Sequence, residues 1–215
     1  MTAPGQPRLI AFEGLDGTGK SHLTRVLAET LGIPRAVTPG DLYRGVRAPL
    51  HAAGGLASYL MYLSACAWAV ESAQRSGERA LVVDRYWFSS AVQHGWNCGA
   101  SPAEALSAPC LPHSLLPRPE LTVLLLASRE ARLNRLSRRP GTGSQLGDPG
   151  PRYEEYWTAC AALLRDDPRA GGAVLVLDTT ESDTGRAMEP LLAHPVVRTI
   201  ADPAVRRLAG RGAKT

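Results

Sequence analysis

Eight consecutive residues, Gly14-Leu15-Asp16-Gly17-Thr18-Gly19-Lys20-Ser21, have the types and spacing of G-x-x-x-x-G-K-[ST], a loop that cradles phosphates. Glycines let backbone N–H groups turn inward, and a helix N-terminus behind them adds positive potential. Lys20 would reach the β- and γ-phosphates of a nucleoside triphosphate, and the Ser21 hydroxyl would bind Mg²⁺. A ligand-free glycine turn would explain the glycines but not the lysine, since the chain holds only one other, Lys214. Two further polar groups follow apolar runs. Asp84 with Arg85 closes the run 79–83, and Asp178 closes the run 173–177.

These groups need elements to hold them. Residues 8–13 read as a buried strand entering the loop. Residues 21–31 read as a helix leaving it, with Leu23, Leu27 and Leu31 on one face and Gly32 as its stop. A short second strand is expected at 35–38 and a helix at 41–47, with a break from Pro49 to Gly55. A long apolar helix follows at 56–75, with Leu56, Leu60, Leu63, Ala67 and Val70 near one face. Further strands are expected at 79–84, 121–126 and 173–177. Further helices are expected at 89–95, 102–106, 130–139, 152–165 and 184–192. Strands that alternate with helices give a parallel sheet covered on both faces. Ligands of such sheets sit outside the carboxyl ends of the strands, where the glycine loop, Asp84-Arg85 and Asp178 all fall. The fold class expected is therefore α/β, a three-layer P-loop NTPase fold.

Composition narrows the partners. A chain of 215 residues with 44% hydrophobic and 20% charged residues is one soluble domain, or one domain with a movable insert. The net charge of +4 is carried almost wholly by arginine, and no Lys/Arg run or aromatic-basic stretch suggests a nucleic acid polymer. Cys66, Cys98, Cys110 and Cys160 are widely spaced and form no C-x-x-C, so free thiols in a reducing cytoplasm are expected rather than zinc or disulfides. Residues 1–7 read as a flexible lead-in without signal-peptide character, and no apolar run has membrane length.

With these pieces in order, the sequence resembles the thymidylate kinase family of P-loop nucleoside monophosphate kinases. The resemblance is carried by Phe12-Glu13-Gly14-Leu15-Asp16-Gly17-Thr18-Gly19-Lys20-Ser21, by Val83-Asp84-Arg85-Tyr86-Trp87-Phe88-Ser89-Ser90, by Pro119-Glu120 with the run 121–126, by Glu130 with Arg135, and by Asp178-Thr179-Thr180. It covers about residues 8–193 and implies a five-stranded parallel core, ATP-dependent phosphoryl transfer to a nucleotide such as dTMP, Mg²⁺ as cofactor, and frequently a homodimer. It divides the chain into the lead-in 1–7, a kinase domain 8–195 with a lid at about 138–152, and a C-terminal segment 196–215.

The resemblance also implies roles. Gly14, Asp16, Gly17, Thr18, Gly19, Lys20, Ser21 and Arg135 would bind ATP, with Thr179, Thr180 and Glu181 lining the adenine edge. Lys20 would neutralise the transferring phosphoryl. Asp16 would bond the acceptor sugar or hold Mg²⁺ through water, its other reading being a turn-former. Ser21, and Asp84 through water, would hold the metal. Arg85 would clamp the acceptor phosphate, its other reading being an ion pair with Asp84. Some family members carry a catalytic arginine where this chain has Gly17, so the lid must supply it. Arg135, Arg138, Arg139 and Arg152 are candidates, while Arg132 is expected on a solvated helix face.

The acceptor side departs from the family. The usual Phe and Arg of the long helix are missing from residues 60–67, leaving Tyr62 or Trp68 to stack on a base. The usual Tyr-Gln pair is Gln93-His94, and Arg-Glu-Pro-Gly has become Val37-Thr38-Pro39-Gly40. Tyr62, Ser90, His94 and Arg152 join Asp16 and Arg85 as acceptor candidates. Losing base-reading groups relaxes or changes the choice of acceptor. A kinase of a different nucleoside, nucleotide or small alcohol is the second expectation. A regulatory nucleotide-dependent ATPase is a third, although no guanine-reading N-K-x-D is present.

Overall fold

Successive side chains of a strand point to opposite faces, and this decides the architecture. In β1 (Arg8–Gly14), Leu9 and Ala11 pack on one side of the sheet, and Ile10 and Phe12 on the other. Both sets are buried, so β1 is covered twice and must be central. The computed structural model describes residues 5–107, 116–138, 150–166 and 172–202. β2 (Arg35–Val37), β3 (Ala80–Asp84), β4 (Leu121–Leu126) and β5 (Ala173–Asp178) complete one parallel sheet in the order β2-β3-β1-β4-β5.

One face carries α1 (Lys20–Leu31), α8 (Thr184–Ala193) and α9 (Pro195–Ala201), whose Leu23, Leu27, Leu31, Leu191, Val197 and Ile200 meet Ile10, Phe12 and Val82. The other carries α3 (Gly55–Arg75), α4 (Trp87–Asn97), α5 (Pro102–Ser107) and α7 (Pro151–Asp166), which bring Tyr59, Phe88, Leu106 and Trp157 onto Leu81 and Val83. Burying one such leucine or phenylalanine contributes about 1.5–3 kcal/mol. The core does not stop at residue 195, because α9 supplies two of its fully buried side chains.

Three local expectations are corrected. α2 (Arg44–Ala53) runs through Pro49 and ends at Gly54, whose φ of 62° is left-handed. Pro49 removes one N–H, but α2 buries no residue, so the orphaned carbonyl stays in water. The buried face of α3 is Tyr59, Leu63, Cys66, Val70 and Ala73, while Leu56, Leu60 and Trp68 are exposed. Third, α6 (Arg129–Ser137) ends two residues before the expected stop, with Arg138 as its C-cap.

Candidate functional site

The glycine loop joins β1 to α1 and is held from outside by its carbonyl oxygens. Leu15 O accepts from Thr18 Oγ1 at 2.8 Å and from Lys20 Nζ at 2.7 Å. Asp16 O accepts from Arg132 at 3.0 Å, Gly17 O from Arg135 at 3.2 Å, and Thr18 O from Thr179 Oγ1 at 2.9 Å. Four consecutive carbonyls are thus engaged by side chains. Thr18 N also donates to Leu15 O, at 3.3 Å, which closes the turn inside the loop. Gly17 permits this packing. Its φ is +86°, and a Cβ there would lie 2.7 Å from Arg132 O.

Lys20 is buried, and its amine falls to about 7 because burial disfavours the charge and Arg85 repels it. Asp16 lies 4.0 Å from it. Ser21 is exposed on the first turn of α1.

The opposite wall is the turn after β3. Arg85 has φ 69°, alone among the described non-glycine residues in being positive. Such a backbone costs roughly 1–2 kcal/mol and has to be held by its surroundings. Arg85 N donates to Phe12 O at 2.9 Å, and Thr38 Oγ1 donates to Arg85 O at 2.6 Å. The fully buried Glu13 carboxylate accepts from Tyr86 N at 2.9 Å, Ser89 N at 3.4 Å and Ser89 Oγ. Burial raises the Glu13 carboxyl above its ordinary value, although the Ser89 and Tyr86 hydrogen bonds and Arg85 pull the other way.

From this turn the Arg85 guanidinium donates to Asp16 Oδ1 and, at 3.2 Å, to Ser89 Oγ. Burial opposes its charge, but Asp16, Glu13 and Asp84 more than offset this and hold it above its usual value. The ion pair with Asp84 read as an alternative is made instead by Arg35, whose Nη2 lies 2.8 Å from Asp84 Oδ2 and whose Nε donates to Thr24 Oγ1 at 2.7 Å. Asp84 is buried at the carboxyl end of β3.

The arginines of α6 divide. Arg132 is 2% exposed and pairs with Glu154, so the solvated face expected for it is wrong. The α7 helix brings Glu154 inward, and Arg129 binds the same carboxylate. Arg135 joins the glycine loop to the turn after β5 by donating to Thr179 O and, at 3.1 Å, to Thr180 O. Thr180 Oγ1 accepts from Ser128 N at 2.9 Å. Arg138 and Arg152 are exposed, and Arg139 with nearly all of the lid lies outside the described residues.

On the acceptor side the predicted residues do not converge. Ser90 is buried in α4. Tyr62 Oη lies 3.1 Å from His51 Nδ1 of α2. Trp68 is exposed and stacks under Arg75 at 4.6 Å. His94 stacks on Tyr59, with ring centroids 4.5 Å apart, and both line a cavity of about 510 Å³ with Cys98 and Glu104. That cavity is lined by neither the glycine loop nor Arg85. Cys66, within the departing stretch 60–67, is fully buried, and burial pushes its thiol well above the ordinary range.

Glu13, Arg35, Thr38, Arg132 and Glu154 were not singled out as site residues from sequence. A carboxylate inside an apolar strand was a readable signal for Glu13. Nothing local marked Arg35 or Glu154, whose partners are 49 and 22 residues away.

No protein-family model matches the chain, and no curated protein is similar to it. Solved structures are. A thymidylate kinase from Candida albicans aligns over 92% of this chain and 94% of its own, with TM-score 0.62 and 18% identity. The fold is that of the thymidylate kinases. A deoxyadenosine kinase from M. mycoides shares it, with TM-score 0.60, 15% identity, and coverage of 86% of this chain and 97% of its own. A thymidylate kinase from Ehrlichia chaffeensis aligns over 94% and 97% of the two chains, with TM-score 0.53 and 16% identity. In this fold the glycine loop after β1 and the Arg85 turn after β3 lie at the carboxyl ends of adjacent strands, where the Arg85–Asp16 ion pair joins them.

Proposed function

We propose that this chain is a Mg²⁺- and ATP-dependent phosphotransferase acting on a nucleotide or nucleoside-like acceptor, with dTMP the first to test. The observation that carries the reading is the Arg85–Asp16 ion pair, which joins the triphosphate loop to an arginine held at the end of the neighbouring strand. Lys20 and the start of α1, whose positive dipole end follows the glycine loop, hold the donor phosphates. Arg85 grips the acceptor phosphate, and Asp16 orients both Arg85 and the acceptor sugar. Phosphoryl transfer needs little covalent chemistry from the protein, so positioning and charge neutralisation carry the rate. The oxygen donors Ser21, Asp16 and Asp84 suit Mg²⁺, which keeps several waters and the substrate phosphates as ligands. When bound, the metal would neutralise charge between the β- and γ-phosphates. Arg138, Arg139 and Arg152 are proposed to close over the phosphates from the lid.

Coupled ADP-release assays across dTMP, other nucleoside monophosphates and nucleosides test this. Acceptor-dependent release is expected. ADP release that no acceptor accelerates would overturn it. Arg85→Ala should raise the acceptor KM at least about tenfold while ATP affinity changes little.

A second reading has its own support. Thr38 and Cys66 stand in the two stretches that depart from the family's pattern, and Tyr62 is engaged by His51. The deoxyadenosine kinase of the same fold was solved with dCMP and dCDP, and with dATP. An acceptor other than dTMP is therefore the alternative, and thermal-shift screening separates the two by whether dTMP is the preferred stabiliser.

Exposed Leu56 and Leu60 of α3 with Val46 of α2 support a homodimer, which sedimentation equilibrium would report. The free thiols Cys66, Cys98 and Cys160 support a reducing, cytoplasmic setting, which cell fractionation would check. Among the described residues no helix is long and apolar enough to cross a membrane.

A further inference from the structure

A buried carboxylate in the middle of a sheet demands an account. Glu13 is 0% exposed and stands between Phe12 and Gly14 at the carboxyl end of the central strand β1. Burying a charge costs heavily unless every lone pair finds a donor. Glu13 finds three donors, and all lie in one short segment, Tyr86 N, Ser89 N and Ser89 Oγ. That segment begins immediately after Arg85, whose φ of 69° no other described non-glycine residue shares in sign.

The hydrogen bonds run in a chain. Arg85 Nη1 donates to Ser89 Oγ at 3.2 Å, and Ser89 Oγ donates onward to Glu13 Oε2. The other guanidinium nitrogen, Nη2, donates to Asp16 Oδ1. Glu13 therefore fixes both the backbone after Arg85 and, through one hydroxyl, an edge of its guanidinium. Thr38 fixes the Arg85 carbonyl from β2's side, so the turn cannot rotate as a whole. A planar fork meets a phosphate bidentately only if its plane is set in advance. A flexible arginine would lose that orientation entropy on each binding event.

We propose that Glu13 is a positioning residue for the acceptor: its buried carboxylate locks the Arg85 turn and, through Ser89, presets the guanidinium plane that receives the acceptor phosphate. This rests on the reading of Arg85 as the acceptor clamp. Glu13 touches no substrate itself.

Glu13→Gln keeps an oxygen for Tyr86 N but puts an amide where Ser89 donates. Ser89→Ala removes the relay and leaves the carboxylate. The monophosphate probes are dTMP, dCMP and dAMP, titrated calorimetrically and assayed at saturating ATP. Each variant should weaken the monophosphate that binds wild type by about tenfold, the loss of one hydrogen bond to a charged group. ATP affinity and kcat at saturating acceptor should stay within about twofold. The double variant should be no weaker than the poorer single variant, since both break one chain.

Unchanged acceptor affinity in Glu13→Gln, or equal loss of ATP and acceptor binding, would overturn the proposal, and Ser89→Ala decides if Glu13→Gln does not fold. Arg85→Ala separates the two levels. If it leaves acceptor affinity intact, the clamp reading fails and this inference with it. If Arg85→Ala weakens the acceptor and Glu13→Gln does not, only the inference fails.

Discussion

The two halves of the proposed site are built by opposite means. On the proposed donor side, four successive carbonyls of the glycine loop are tied to side chains from α1, α6 and the turn after β5. The loop is preset by polar bonds that converge from distant segments. On the proposed acceptor side the Arg85 turn is the one comparably fixed among the described residues, by Phe12, Glu13 and Thr38. Beyond it, Tyr62, Trp68 and His94 engage other side chains and share no common focus. A phosphate looks the same in every nucleotide, so its grip can be built once and rigidly. A base or sugar differs between acceptors, and the residues facing it are free to diverge within one fold.

The comparison predicts where substitutions will hurt most. Lys20→Ala strikes the donor wall at its centre. It removes the buried amine beside Asp16 and Arg85 and should lower kcat by on the order of 10³-fold or more, with acceptor affinity far less affected. Single-turnover rates would show this. Near-normal turnover would mean that the loop does not hold the transferring phosphoryl.

A smaller effect should separate two arginines of one helix. Arg132 is buried against Glu154 and Asp16 O, whereas Arg138 is exposed at the C-cap. Removing one partner of a buried ion pair leaves the other uncompensated, so Arg132→Ala should cost about 3 kcal/mol in chemical denaturation. Glu154 keeps Arg129, which places the expectation at the low end of the range. Arg138→Ala should stay within about 0.5 kcal/mol. Equal costs would erase the distinction between a loop-holding and a lid-facing arginine.

How much of this was readable beforehand follows the same division. The five strands and the glycine loop were legible because apolar runs and glycine spacing are local signals. That Lys20, Asp16 and Arg85 would lie together was legible because their motifs are contiguous and end adjacent strands. Arg132 was misread because a charge on a short polar helix resembles a solvated face, and only the distant Glu154 and Asp16 bury it. The apolar face of α3 was misread because Leu56 and Leu60 fit the helical period as well as Tyr59 and Cys66 do, and tertiary packing chose between them. The continuation of α2 past Pro49 was hidden because an exposed helix tolerates a missing N–H that a buried one would not.

The finest test concerns a single proton. Burial and Arg85 bring the Lys20 amine from 10.5 to about 7 in the folded chain. Between pH 7 and 10.5 the unfolded chain therefore binds more protons than the folded one, so Lys20 makes stability rise with pH across that window. Below about 7 both states are protonated and the burial penalty is fully present. Triphosphate binding reverses the sign. Negative oxygens beside Nζ favour the charged amine, so binding above pH 7 should take up a proton and weaken as pH rises, by up to about tenfold per unit. Calorimetry of ATP at pH 8 in two buffers of different ionisation enthalpy should show uptake approaching one proton per site, and Lys20→Met should abolish it. The Arg85→Ala variant sharpens the comparison between the two walls. It removes the repelling charge on the acceptor side, so the Lys20 amine should climb back and the uptake at pH 8 should shrink. Uptake that ignores Arg85 would mean that the two walls are electrostatically independent.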